Sequence, residues 1–351
     1  MNEEPTHFAL RPSDELVKRA SNVTKANSAR KGEPAFHMTE DVRRLSTPWS
    51  VAQVRATQIE ATDLPAGVIL DAAAGSGVQL VALTAGLKRP GLAIELDPNI
   101  GLLCAANMHS AGESGDLQRS MDRVLVGDGT DAENAIVAYW NSLREAGTRA
   151  HPPIGMLHLD PARPRDAQRH EIDEMQPAIG PLMKAWSKHL EIGPRGPAVL
   201  LDLSPRLKES QRALVDATIE TTFPGITRTW EYLSQGGGRI DRLSVWIGSL
   251  SSKAPSRCVR MGRKKIMATI EGKIVESEEV AMSTPPPFGA HLTIVDPALV
   301  QSGLQEAWLE RALPEGAGHS WLRLDGRRPL LITTDRLTND EEIDAFVLAS
   351  G

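Results

Sequence analysis

Val68-Ile-Leu-Asp-Ala-Ala-Ala-Gly-Ser-Gly77 decides the fold. An apolar run ends in Asp71, small residues follow, and Gly75 and Gly77 flank Ser76 just before Val78-Gln-Leu-Val-Ala-Leu83, which is patterned like a helix. A buried strand that feeds a tight glycine turn into a helix is the first unit of an open α/β sheet. Ligands of such sheets sit outside the carboxyl ends of the strands. A nucleotide-like ligand is the first expectation, against the plainer reading of a glycine turn with no ligand.

The glycine spacing narrows the ligand. A dinucleotide fingerprint needs a third Gly or Ala three residues after the second, so that the helix can close on the strand above a pyrophosphate. Leu80 stands there, and no Gly-Lys-Ser/Thr follows to make a phosphate loop. What remains, Asp-x-x-x-Gly-x-Gly after a strand, resembles motif I of the class I S-adenosylmethionine (SAM) methyltransferases. The resemblance implies that Asp71, Ala73, Gly75 and Gly77 bind SAM.

Upstream, residues 1–60 read as a helical region: Asp14 to Ala20, Thr39 to Leu45, and a segment from Ser46 through Pro48 to Ile59. Lys18, Arg19, Lys25, Arg30 and Lys31 in this region read as a solvated surface rather than a phosphate contact. Downstream, Gly91-Leu-Ala-Ile-Glu-Leu-Asp97 is a second strand ending in acid, about twenty residues past the glycine turn. A carboxylate there can accept both ribose hydroxyls, with Glu95 the first candidate and Asp97 the second. Arg123-Val-Leu-Val-Gly127 is a third strand, and Asp128 behind it can accept an adenine amino group. Asn99 to Met108 between them reads as an amphipathic helix that packs Cys104 as a small hydrophobe.

Met156-Leu-His-Leu-Asp160 is the fourth strand and runs into Pro161-Ala-Arg-Pro-Arg165. His158 lies inside it and reads as a core histidine. Asp-Pro-Ala-Arg at a strand end resembles motif IV of nucleic-acid methyltransferases, whose amino-methylating form is Asp-Pro-Pro-aromatic. The resemblance implies that Asp160 and the carbonyl of Pro161 accept hydrogen bonds from the attacking amine. Arg163 replaces the aromatic and can stack on a base or hold a phosphate. The same tetrapeptide occurs in uracil-C5 RNA methyltransferases, which need a cysteine nucleophile. The fifth strand, Ala198-Val-Leu-Leu-Asp202, is followed by Leu-Ser-Pro-Arg206 with no cysteine, which disfavours that chemistry. Ser204 is a candidate substrate contact or a turn residue.

A helix over 212–220 and strands over 227–233 and 243–248 complete an expected seven strands. Beyond residue 252, Lys253, Arg257, Arg260, Arg263, Lys264 and Lys265 form a run with no acid, either a solvated linker or a phosphate contact; Arg260, Arg263 and Lys264 are taken as substrate candidates. A hairpin over 266–275 turning at Glu271-Gly272 is expected next, then Pro285-Pro-Pro287 as a spacer, strands at 291–295, 320–324 and 330–334, and a helix start at Asp296.

The whole chain resembles the class I SAM methyltransferases that carry a C-terminal THUMP-like domain. The resemblance rests on Pro48 to Arg55, Leu70-Asp-Ala-Ala-Ala-Gly-Ser-Gly77, Leu159-Asp-Pro-Ala-Arg163, Leu203-Ser-Pro205, Trp246, Val295-Asp-Pro-Ala-Leu-Val-Gln-Ser-Gly-Leu304 and Thr334-Asp-Arg336. Pro164 and Leu-Ser-Pro depart from its usual second Arg and Ala-Pro-Gly. It implies an α/β fold: a Rossmann-like seven-stranded sheet over 61–251, an N-terminal helical region over 1–60 and a small α+β domain over 252–351. It also implies SAM as cofactor and RNA, tRNA or rRNA, as partner.

At 351 residues and a formal charge of −6, the chain has the composition of a globular protein and weighs against a constitutive nucleic-acid coat. Two cysteines, Cys104 and Cys258, exclude a disulfide framework, and no Cys/His cluster has the spacing of a structural metal site. No apolar run approaches the roughly 18 residues of a membrane span, and Met1-Asn-Glu-Glu-Pro5 does not open a signal peptide. A cytoplasmic location is expected. The leading expectation is methylation of an RNA base nitrogen. The alternatives are a small-molecule or protein methyltransferase, which the acidic charge and scarce aromatics favour, and a non-catalytic SAM-binding or RNA-binding adaptor.

Overall fold

The computed structural model describes residues 6–112, 118–162, 172–282 and 284–351. The chain divides into two compact units, the first made of residues 1–202, 206–226 and 247–250 and the second of 203–205, 227–246 and 251–351.

The first unit opens with a short strand, β1 (Phe8–Leu10), and three helices, α1 (Asp14–Ser21), α2 (Glu40–Leu45) and α3 (Trp49–Glu60). The Ser13 and Thr39 hydroxyls accept from Leu16 N and Val42 N and so cap α1 and α2, whose first turns are acidic and last turns basic. The alternation follows: β2 (Val68–Asp71), α4 (Val78–Leu87), β3 (Gly91–Glu95), α5 (Pro98–Ser110), β4 (Arg123–Val126), α6 (Ala132–Glu145), β5 (Ile154–Leu159), α7 (Ile179–Ser187), β6 (Ile192–Gly193), β7 (Gly196–Leu203) and α8 (Glu209–Thr222). Strand order is β1-β4-β3-β2-β5-β7. The pairs from β4 through β7 are parallel, and β1 adds antiparallel to the outer edge of β4. Central β2 and β5 are buried along their whole length. This is why they read as unbroken apolar runs rather than alternating ones.

The second unit contains β8 (Arg228–Ser234), β9 (Arg242–Gly248), where the division of the chain falls, β10 (Ser256–Met261) and β11 (Ile266–Gly272), ordered β9-β8-β10-β11. A separate antiparallel sheet, ordered β13-β14-β12-β15, is made of β12 (His291–Val295), β13 (His319–Arg323), β14 (Leu330–Thr333) and β15 (Val347–Ser350). Helices α9 (Pro297–Gln301), α10 (Gln305–Ala312) and α11 (Glu341–Asp344) accompany it. The Val295-to-Leu304 block has a local reason. Asp296, fully buried, caps α9 through Ala298 N at 2.9 Å with Pro297 in the first turn, and accepts the Ser234 hydroxyl at 2.6 Å.

Three expectations are corrected. Seven strands undercounts the sheet, because β1 extends the β4 edge and β10 and β11 continue beyond β8. The predicted hairpin turn at Glu271-Gly272 is absent: Ile266–Gly272 is one strand, and it pairs back on β10. The basic run is therefore not a linker. It is β10 plus the turn that follows, with Cys258, Val259 and Met261 in the core.

Candidate active site

Register places the site. Asp71 pairs with His158 on one side and with Ala93 on the other, so Ala73, Glu95 and Asp160 leave the sheet at one level. Glu95 pairs with Val126, which puts Asp128 just beyond the same edge. Four strands thus deliver the predicted residues to one crest, at their carboxyl ends.

The glycine turn is built for close approach. Gly77 has φ +74° and an added Cβ would meet Cys104 Sγ at 2.6 Å, so only glycine lets α4 start against α5. Gly75 has φ +52° and open space where a Cβ would stand. Glu95 reaches back to this turn, accepting from Gly75 N and Asp97 N at 3.0 Å each. Burial raises its pKa, and the two amides only partly oppose that. Asp97 caps α5 through Asn99 N at 2.7 Å and Ile100 N at 3.2 Å, so its Oδ1 is taken by the helix. Asp128 is exposed and closes its own turn through Thr130 N and Oγ1, both at 2.8 Å. Asp160 is half-buried, Pro161 buried, and Arg163 lies outside the described residues.

Asp71 does not face the crest. It is 2% exposed, and beneath the turn its Oδ1 accepts from Ala73 N at 3.3 Å while Oδ2 meets His158 Nδ1 at 2.8 Å. Below it lies a buried charge network that sequence reading missed. His158 Nε2 is 3.2 Å from Asp202 Oδ2, and Arg55 clamps Asp202 through Nη1 and Nη2 at 2.5 Å each. Gln79 Oε1 accepts from Arg55 Nη1 at 3.0 Å, leaving its amide nitrogen 3.0 Å from His158 Nε2. Two proton arrangements are thus open to His158. A neutral ring accepts from Gln79; a protonated one donates to Asp202. Charge balance selects the second, because a neutral ring leaves Arg55 alone against two buried carboxylates. Burial pulls the His158 pKa down, but Asp71 and Asp202 overcome it and raise it to about 10.

The N-terminal helices meet the same turn. Ser46 Oγ lies 3.2 Å from Ser76 Oγ, and Asn107 donates to the carbonyls of Ser76 and His37 at 2.9 Å each. Buried Trp186 fixes the loop after β4 by donating to Gly129 O at 2.8 Å. Neither partner has a sequence signal, since both contacts join distant segments.

The substrate candidates separate. Ser204 follows β7 in a half-exposed turn, and Arg263 and Lys264 are exposed in the β10–β11 turn. Arg260 is not available. It lies 3.8 Å from Asp296 and donates to Ala345 O at 2.8 Å, so it braces the second unit from within. Arg257 is likewise taken, 2.9 Å from Glu231 and over the Trp246 ring at 4.5 Å.

An open recess of about 540 Å³ between α1, the following loop and the end of α5 is lined by Val17, Lys25, Pro34, His37 and Ala111, and includes none of the crest acids. Among the described residues, no cluster of His, Cys, Asp and Glu could hold a metal ion, and no helix is long and apolar enough to cross a membrane.

No family profile matches the chain, and no curated protein does. Among solved structures, it is similar to a protein from Porphyromonas gingivalis W83 assigned as a methyltransferase. The TM-score is 0.52 and the identity 15%, over 92% of this chain and 69% of that one. A Streptococcus mutans protein assigned as a methyltransferase and solved with SAH matches at TM-score 0.36 and 14% identity, over 56% of this chain and 96% of that one. The methyltransferase subunit of a type I restriction-modification system from Streptococcus thermophilus matches at 0.38 and 14%, over 63% and 50%. These two add nothing to the first likeness. The likeness to the Porphyromonas gingivalis protein is one of fold. At the crest the backbone is bare at Gly75, Glu95 is a half-buried acceptor, and Leu96 beside it presents an apolar side chain that is 73% exposed.

Proposed function

We propose that this chain is a SAM-dependent methyltransferase acting on a base nitrogen of RNA, in tRNA or rRNA, with a C-terminal unit that serves RNA in the THUMP-like manner. The observation that carries the reading is the register that sets Asp160 level with the glycine turn, at the end of central strand β5. SAM supplies an electrophilic methyl group. The chain's residues must hold the cofactor, align the nucleophile and take up the charge that develops on it. Gly75 and Gly77 admit the cofactor against backbone, Glu95 accepts the ribose hydroxyls, and Asp128 accepts the adenine amino group. Asp160, with the Pro161 carbonyl, orients the attacking amine and accepts its proton. Arg163 holds the target nucleotide, and Ser204 and the exposed cations Arg263 and Lys264 contact the substrate strand.

Leu96, which the sequence reading passed over, offers the adenine a flat apolar contact. Leu96→Ala should weaken SAM binding about tenfold, the loss of roughly 1–2 kcal/mol of buried apolar surface. Calorimetric titration with SAM reads the loss, and kcat at saturating SAM should stay unchanged.

The function is tested by transfer of labelled methyl from SAM to separate pools of tRNA, rRNA, DNA, protein and metabolites. Label in one RNA pool, traced to a base nitrogen after digestion to nucleosides, is expected. Label in DNA, protein or metabolites alone would replace the substrate assignment and leave the methyltransferase one standing. SAM binding with no label in any pool would favour the adaptor reading.

A further inference from the structure

The second unit carries a basic surface assembled from three turns that are distant in sequence. β8 and β10 run parallel with Ser234 level with Arg260. The β8–β9 turn, 235–241, and the β10–β11 turn, 262–265, therefore leave the sheet at the same end. The β13–β14 turn, 324–329, reaches the first of these: a Cβ on Gly238 would stand 2.8 Å from the Arg327 carbonyl oxygen. Arg239, Arg263, Lys264, Lys265, Arg327 and Arg328 are all exposed on these turns.

Their charges are not spent internally. Among the described residues, Arg263, Lys264, Lys265, Arg327 and Arg328 make no salt bridge, whereas Arg257 and Arg260 on the strand below are tied to Glu231 and Asp296. The nearby acids are partly engaged. Asp241 takes Gln235 N at 2.7 Å and Arg239 Nε at 3.0 Å, and Glu279 takes the amide of Asp325 at 3.2 Å, leaving Asp325 as the acid of the third turn. Between the cations the backbone is bare at Gly237, whereas Gly238 is buried and the Arg260 guanidinium fills the Cβ position of Gly236. Gly236, Gly237 and Gly238 have φ of +90°, +82° and +71°, and open space surrounds the Cβ position of Gly237. Among the described residues, nothing accepts from the amides of Gly237 and Gly238. Unpaired amides ringed by unspent guanidinium and ammonium groups suit a phosphodiester: donors point at its oxygens and no side chain keeps it away.

We infer that these three turns grip the sugar-phosphate backbone of the RNA substrate, with Gly237 as the floor and Arg327, Arg328, Lys264 and Lys265 as the walls. This assignment rests on the RNA reading above. Phosphate contacts of this kind position the strand and carry no base specificity.

The test is binding of labelled tRNA and rRNA fragments to the full chain with SAH present, by fluorescence anisotropy across a potassium chloride series. Arg327→Ala with Arg328→Ala, and separately Lys264→Ala with Lys265→Ala, should each weaken binding about tenfold at low salt. Each should also reduce the slope of log K against log salt by about 1 to 2, as two phosphate contacts are lost. In turnover the loss should fall on the RNA KM, with kcat and SAM affinity unchanged. Lys18→Ala with Arg19→Ala, equally exposed on α1, should move none of these. An unchanged thermal transition excludes misfolding, and Arg327→Lys with Arg328→Lys should restore most of the salt slope. Wild-type affinity and slope in both alanine pairs would overturn the assignment while leaving the RNA reading intact. A wild-type chain that binds no RNA would overturn both.

Discussion

Arg55→Met should destabilise the protein by about 3–5 kcal/mol, the range for removing one partner of a buried ion pair. Arg55 is fully buried and Asp202 is 4% exposed, so without the guanidinium a buried carboxylate loses its two-pronged cation, with His158 and Gln79 still beside it. Arg55→Met combined with Asp202→Leu should recover much of the loss, since two apolar side chains leave no orphan charge. Urea denaturation of the single and double variants reads both results. Equal losses in the single and double variants would mean that Arg55 acts by packing alone. The network also sets a pH dependence. The His158 pKa is raised in the folded chain from 6.5 to about 10, so its stabilisation is complete below pH 6.5 and fades as pH rises through 10. Asp202 has the opposite sign: its folded pKa is lowered, so its stabilisation is present above its ordinary value and is lost as pH falls through the folded one. Between pH 7 and pH 10 the wild type should therefore lose more stability than His158→Gln.

The strand-turn-helix at 68–83 was legible because it is local: an apolar run, an acid and two glycines at fixed spacing constrain one another within a few residues. Glu95, Asp128 and Asp160 followed from the same logic, since each closes an apolar run and parallel pairing brings such ends to one edge. The network beneath them was hidden. Arg55 sits in a helix where a charge normally faces water, and its burial depends on Asp202, 147 residues away. Asp71, which the resemblance assigns to SAM, is turned inward by its partner His158. The linker reading of the basic run fails for a related reason. In β10, Cys258, Val259 and Met261 supply the buried face, while Arg257 and Arg260 break the apolar pattern and are neutralised by Glu231 and Asp296, from segments remote in sequence. β1 was missed because three residues on a sheet edge carry too little pattern to stand out from loop.

Asp160→Asn should lower the rate of methyl transfer by about 10²–10³-fold, the magnitude seen when one preorganised group facing developing charge is lost. The substitution keeps the shape and leaves one oxygen acceptor, so binding and folding should survive it. What it removes is the negative charge. A base amine that attacks a methyl group becomes cationic as the new bond forms, and a carboxylate at the crest stabilises that cation and can receive its proton. In the proposed site the cofactor is held by other residues: Glu95 is fixed by Gly75 and Asp97, and the turn is braced from beneath by Asp71. SAM affinity should therefore change less than twofold while kcat falls. Single-turnover transfer at saturating SAM separates the two roles of the carboxylate. If its charge takes up the developing cation and its proton, Asp160→Asn should show the full loss. If it only orients the amine, Asp160→Asn should retain most of the rate. A full wild-type rate in both Asp160→Asn and Asp160→Ala, with SAM bound normally, would remove this residue from the chemistry and move the search for the nucleophile's partner to the other groups at the crest.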